Sequence, residues 1–209
     1  MSTKQKPRDR IANSNKLLKQ YNIFIQKMQT KQGFTPFYIP LAQCLKIYKI
    51  INNQIGFQAE ISDASSDIND ITKLEGDIIS EISTPSNFTG CLIFKIDKFP
   101  ETCSNGHGTV HAVALTFYME FCATLAVMII DPDLRPMHVG SSFSIDFINP
   151  CLLTDKALIE AKVIKTGRNM ANVEVLVTDQ KSKKFFCRCS YTKVFQPLPK
   201  AVKMPISKM

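Results

Sequence analysis

A chain of 209 residues, 44% of them hydrophobic, can bury one core or one core with an appendage, and is too apolar to be largely disordered. Eight glycines are too few for Gly-rich repeats or linkers, and no repeat period of roughly 20–50 residues is visible. The net charge of +8 is unevenly placed: residues 1–57 hold ten Lys or Arg and one acid, Asp9, whereas the other 152 residues hold sixteen bases and seventeen acids, so +9 lies in the first part and −1 in the rest.

The basic character therefore belongs to an N-terminal extension, residues 1–57. Such an arm suits an acidic protein surface or an anionic membrane surface, and its basic, acid-poor composition suits mitochondrial targeting, with a cytoplasmic location as the alternative. It lacks the interleaved aromatics and motifs of nucleic-acid binders, so no nucleic-acid partner is expected. A solvated helical arm with no special role is the plainer reading. Ile11, Leu18, Tyr21, Ile25 and Met28 recur at helical spacing and predict an amphipathic helix over 10–29. In "TPFYIPLAQCLKIYKII", Pro40 suits the first turn of a second helix burying Leu41, Cys44, Leu45 and Tyr48. An acidic linker, 58–74, follows; residues 60–81 hold seven acids against the single Lys73, and they suit folding against the basic arm.

A main domain is expected over 75–196, with a tail at 197–209. "DIISEIS" and "GCLIFKID" read as short strands. After a long apolar run come "SSFSIDF", "ALIEAKVIK", "MANVEVLVTD" and "FFCRCSYTKVF", with clear alternation at Phe143, Ile145 and Phe147 and at Ala171, Val173, Val175 and Val177. The turns "KTGRN" and "DQKSKK" make the last three strands an antiparallel meander. The seven cysteines are irregularly spaced and read as reduced thiols of an intracellular or matrix protein. Those of "CRC", Cys187 and Cys189, fall on one face of a strand.

The apolar run, "HAVALTFYMEFCATLAVMII" at 111–130, carries one carboxylate, Glu120, which is costly to bury unless paired or used. As a helix, 112–130 is ~28 Å long, enough to span a bilayer. Against a span stand the midplane acid, the missing Lys/Arg and Trp/Tyr anchors, and the four patterned strands that follow. A helix apolar all round is instead expected inside a curled sheet. Cys103, His107 and His111 stand four apart, but Gly106 and Gly108 break the helix that would align them, so no metal is expected.

The segment "CSNGHGTVHAVALTFYME" resembles the hotdog-fold acyl-CoA thioesterases of the 4-hydroxybenzoyl-CoA thioesterase and phenylacetate-pathway type, nearest the acyl-CoA thioesterase 13 group. The family pattern is an Asn, five residues ending in Gly-Thr-Leu, His-Gly-Gly, and an acid nine residues after the His. This chain has Asn105, "GTV" at 108–110, His111 and Glu120 in the same register. The resemblance covers roughly 75–195, and residues 1–70 have no counterpart in it. It implies an α+β hotdog fold, an antiparallel sheet wrapped around one long apolar helix, here with an N-terminal helical extension.

It also implies Glu120 as general base or nucleophile on a thioester, and the backbone N–H of Ala112, next to His111, as oxyanion donor. Thr124, one turn beyond, would hydrogen-bond the carboxylate, and Asn105 would come from a partner subunit of a homodimer or higher oligomer. Phe147, Asn149 and Pro150 of "FINPC" and Lys165, Thr166, Gly167, Arg168 and Asn169 of "KTGRN" lie where the family binds coenzyme A. Coenzyme A enters as part of the substrate, and no separate cofactor is expected. Two departures stand out. His-Gly-Gly is His111-Ala112-Val113, and a serine of some relatives aligns with Gly140, leaving Ser141 or Ser142 as substitutes. Two functions remain open: an acyl-CoA hydrolase, or a hotdog subunit with reduced catalysis that serves as an interaction module in a larger, mitochondrial assembly, docked through its basic arm.

Overall fold

The computed structural model describes residues 41, 44–53, 57–60, 89–130 and 138–196. The expected helix at 10–29, the acidic stretch 61–81, the strand in "DIISEIS" and the C-terminal tail lie outside them. Among the described residues there are seven strands, β1 (Leu45–Asn52), β2 (Phe57–Glu60), β3 (Gly90–Ile96), β4 (His138–Phe147), β5 (Ala157–Thr166), β6 (Met170–Asp179) and β7 (Phe185–Phe195), and one long helix, α1 (Ala112–Ile130). The strands form one sheet in the order β2-β1-β3-β5-β6-β7-β4, antiparallel at every pairing.

The helix expected around Leu45 and Tyr48 is corrected: this segment is β1, paired with β3 from Leu45↔Ile96 to Asn52↔Gly90. A register shift between Ile47 and Lys49 explains the misreading. It breaks the period of two by moving burial from Leu45 and Ile47 to Ile50, while Leu41, Cys44, Leu45 and Tyr48 stand at helical intervals. Residues 45–52 and 57–60 thus belong to the sheet.

The meander has the expected register. β6 buries Ala171, Val173, Val175 and Val177, and β5 buries Ala157, Ile159, Ala161 and Val163. These rows close over Leu115, Tyr118, Met119, Cys122 and Ala126 of α1, and each large apolar side chain so buried contributes about 1.5–3 kcal/mol. The Tyr118 hydroxyl lies 3.0 Å from Cys44 Sγ and 3.6 Å from Cys103 Sγ. All seven cysteines are free thiols, and burial pushes Cys187 and Cys189 each up to about 12.

The sheet does not cover α1 completely. Val113 is exposed, and Thr116, Phe117, Glu120 and Thr124 are only partly buried, so an open stripe runs along the helix at three- and four-residue intervals. β4 is an edge strand. Its residues are exposed or half-buried throughout, because no described element packs over it.

Candidate active site

Glu120 sits on that open stripe, with 43% of its side chain exposed. Oε1 accepts three hydrogen bonds: from Thr124 Oγ1 at 3.1 Å, from the Tyr191 hydroxyl at 3.1 Å and from Lys193 Nζ at 2.7 Å. Among the described residues, Oε2 has no partner. Lys193 is only 2% exposed, donates also to Thr124 Oγ1 at 2.6 Å, and lies 4.1 Å from the centroid of the Tyr191 ring.

Burial alone would push the Glu120 carboxyl up. The Lys193 hydrogen bond and charge, with Thr124 and Tyr191, outweigh it and hold the group below the usual carboxylate range. Burial pushes Lys193 below its ordinary value, and Glu120 offsets part of that. Burial, with the Glu120 charge, raises Tyr191.

Thr124 therefore meets Glu120 as its spacing requires. Tyr191 and Lys193 were not expected. The signal was present in "CRCSYTK": Cys187, Cys189, Tyr191 and Lys193 alternate along β7, so all four point inward, and an inward lysine needs a partner. Gly140 stands opposite Lys193 in β4. A Cβ there would run into the Tyr191 hydroxyl and lie 2.7 Å from Cζ, so the tyrosine needs a glycine beside it. Neither serine replaces that contact: Ser141 Oγ donates to the Thr192 carbonyl at 3.4 Å, and no hydrogen bond joins Ser142 to Glu120.

The other expected residues lie elsewhere. His111 caps α1, its Nδ1 accepting from the Val113 N–H at 3.1 Å, while the Ala112 N–H has no partner among the described residues. Asn105 organises the loop before the helix: its Nδ2 donates to Thr109 Oγ1 at 2.6 Å and its Oδ1 accepts from the His107 N–H at 2.9 Å. Gly106 and Gly108, at φ +83° and +77°, supply the left-handed turns of that loop. Among the described residues no cluster of His, Cys, Asp and Glu could hold a metal ion.

Register separates these groups along the sheet. Phe147–Pro150 lies where β4 ends and β7 begins; Asn149 Nδ2 donates to the Phe185 carbonyl at 2.8 Å, and Pro150 lines a cavity of about 290 Å³ with Leu152, Asp155 and Lys184. Thr109 bridges to Leu152, which places Asn105 and Ala112 at this same end. The turn from Lys165 to Asn169 lies at the other end, where β5 ends and β6 begins; its Gly167 N–H donates to Met170 O at 2.8 Å, and its Asn169 O accepts from the Phe195 N–H at 2.9 Å. Glu120, through Lys193 and Gly140, belongs to this second end. Eight helical steps separate Ala112 from Glu120, about 12 Å along the axis. Within one chain the expected oxyanion donor and the acid are too far apart to share a thioester.

Among known structures, thioesterase superfamily member 2 from zebra fish superposes with a TM-score of 0.58 at 18% identity, over 86% of this chain and 98% of that one. The chain has the hotdog fold. Thioesterase superfamily member 2 from Mus musculus gives 0.53 at 16% identity, over 85% of this chain and 98% of that one. Residues 107–186, from the loop before α1 to the start of β7, match the family described as the thioesterase superfamily. No curated protein gives a significant match. The matched hotdog segment contains Glu120 and both halves of the expected coenzyme A set, and stops short of Tyr191 and Lys193.

Proposed function

We propose that this hotdog protein hydrolyses acyl-CoA thioesters, in the manner of the acyl-CoA thioesterase 13 group, as a dimer joined through β4. The observation that carries the reading is the Glu120 carboxylate, anchored by Oε1, without a partner at Oε2 among the described residues, and set on a stripe of a buried helix that the sheet leaves uncovered. As general base, Oε2 takes a proton from water while the water oxygen attacks the thioester carbonyl carbon. The C–S bond then breaks, and the proton held by Glu120 passes to the departing thiolate. Direct attack by Oε2 through a mixed anhydride is the nucleophilic variant.

The dimer follows from the separation of the two ends. Among the described residues β4 is unpaired on one edge, and it exposes Val139 and Phe147. Antiparallel pairing of two β4 strands about a two-fold axis sets each copy's Ala112 end beside the other's Glu120 end. Ala112 of the partner subunit then offers its N–H to the oxyanion, and Asn105 of the partner subunit holds the attacking water. Coenzyme A enters only with the substrate, its phosphates meeting Arg168 and the amides of the 165–169 turn, and Phe147–Pro150 of the partner subunit.

One observation favours the second reading, an interaction module docked by its basic arm in a mitochondrial assembly. The ion pair with Lys193 also suits a purely structural acid. Thiol release from short- to long-chain acyl-CoAs, by wild type and Glu120→Gln, separates the two. Turnover that falls by about 10³-fold in the variant supports the hydrolase. Wild type inactive on every chain length supports the module.

A further inference from the structure

We propose that Lys193 and Tyr191 are positioning residues for Glu120: from successive inward positions of β7 they grip Oε1 and leave Oε2 as the one oxygen that meets water and thioester. The proposal rests on Glu120 being the reacting carboxylate.

The grip is built from two elements. Thr124 binds Oε1 from the carboxylate's own helix, and the ammonium and phenol bind it from β7. Lys193 is tied in turn to Thr124 Oγ1, so Glu120, Thr124 and Lys193 close a ring of hydrogen bonds to which Tyr191 adds a third donor, and the carboxylate cannot rotate without breaking its ion pair. A swinging carboxylate would present either oxygen to the attacking water; this one presents Oε2.

Packing explains the Tyr191 ring, which meets Phe143 edge-on at 4.6 Å between centroids, but not its hydroxyl nor the ammonium of Lys193. The other buried residues of β7 beside this pair are uncharged, Phe186, Cys187 and Cys189. Burying an ammonium beside them costs desolvation that an apolar side chain of similar length would avoid. Lys193 is flanked by Gly140 from β4 and Ala171 from β6, neither of which carries charge. Cys122 on α1 is the further titratable group that feels Glu120, and it is fully buried and raised well above its ordinary value, first by burial. Glu120 is thus the anion that Lys193 pairs with among the described residues. Gly140 completes the device, because any side chain there would displace the Tyr191 hydroxyl.

The test uses the full-length protein with carboxyl-labelled glutamate, the Glu120 resonance being assigned by its loss in Glu120→Gln. Glu120 is titrated by NMR without substrate in wild type, Lys193→Met, Lys193→Arg and Tyr191→Phe, and kcat and KM are measured across pH on an acyl-CoA. Lys193→Met is expected to raise the Glu120 titration by about one pH unit or more, and Tyr191→Phe by less, while Lys193→Arg keeps it low. In Lys193→Met, kcat is expected to fall about 10–100-fold with KM little changed, and the acid limb of kcat/KM to move up with the titration.

An unmoved titration in Lys193→Met overturns the proposal, as does an equal loss in kcat and rise in KM with the acid limb in place. Should Lys193→Met fail to fold, the other two variants decide: Tyr191→Phe must raise the titration and Lys193→Arg must hold it, and failure of either overturns the grip. Absent turnover in wild type alongside a shifted titration sinks the hydrolase reading, and with it the role in catalysis, while the ion pair stands. Turnover with an unmoved titration sinks the grip alone.

Discussion

Glu120 answers to pH through its neighbours. Thioester hydrolysis by this acid needs the carboxylate, and its hydrogen bonds hold the group below the ordinary value of 4.5. As pH falls, the rate should therefore persist through the usual glutamate range and drop only below it; a pH–rate profile with its acid limb above 4.5 would contradict the arrangement. The same pair links activity to stability. Glu120→Gln leaves the buried Lys193 ammonium uncompensated and should cost about 1–2 kcal/mol, less than for a fully buried pair because the glutamate is two-fifths exposed. The double variant Glu120→Gln/Lys193→Met should regain that stability and no activity. Thermal unfolding and thiol release, measured on both proteins, separate the structural loss from the chemical one. His111 offers the opposite case: as a helix cap, its replacement by Ala should lower stability by about 0.5–1 kcal/mol, and Asn, a better cap, should restore it.

At the scale of elements, α1 and β7 make the site and β4 makes room for it. Glu120 and Thr124 are one turn apart on α1, so their meeting was legible from spacing alone. Tyr191 and Lys193 lay in plain sight in a strand whose alternation was also legible, yet parity shows only that they point inward, not what they point at. Gly140 is the reciprocal mark of Tyr191. Gly140→Ser should drive the new side chain into the ring and cost about 1–3 kcal/mol in unfolding experiments. A stable Gly140→Ser protein with unchanged Glu120 titration would show that the ring has space to move aside. β1 shows how local pattern misleads: the shift between Ile47 and Lys49 breaks the strand's alternation, Leu41, Cys44, Leu45 and Tyr48 stand at helical intervals, and only pairing with β3 reveals the strand.

For the whole molecule, the decisive fact is that the two ends of the sheet carry different halves of the expected site. Nine residue steps along β4, about 30 Å, separate His138 from Phe147. A dimer through β4 brings opposite ends together, and it makes a quantitative prediction. Glu120→Gln and Asn105→Ala proteins, each inactive alone, should regain about a quarter of wild-type activity when unfolded and refolded as an equal mixture, since half the dimers are mixed and each holds one intact site. Absence of regained activity, with mixed dimers demonstrated by mass, would place Asn105 and Glu120 in one chain's site or in none.

The sequence by itself determined the long apolar helix with its single acid, the parity of β6 and β7, the glycines that break a helix before it and the resemblance that pointed to the fold. These are local: each is written in spacings of two, three or four residues, set by the period of a strand or helix. Only the tertiary structure decided that β1 is a strand, that Glu120 is gripped by Lys193 and Tyr191 more than seventy positions away, and that Gly140 leaves space for the ring. Those facts depend on which strands lie side by side over the helix. Pairing across a sheet is settled by the packing of the whole core, and no short stretch of the chain carries it.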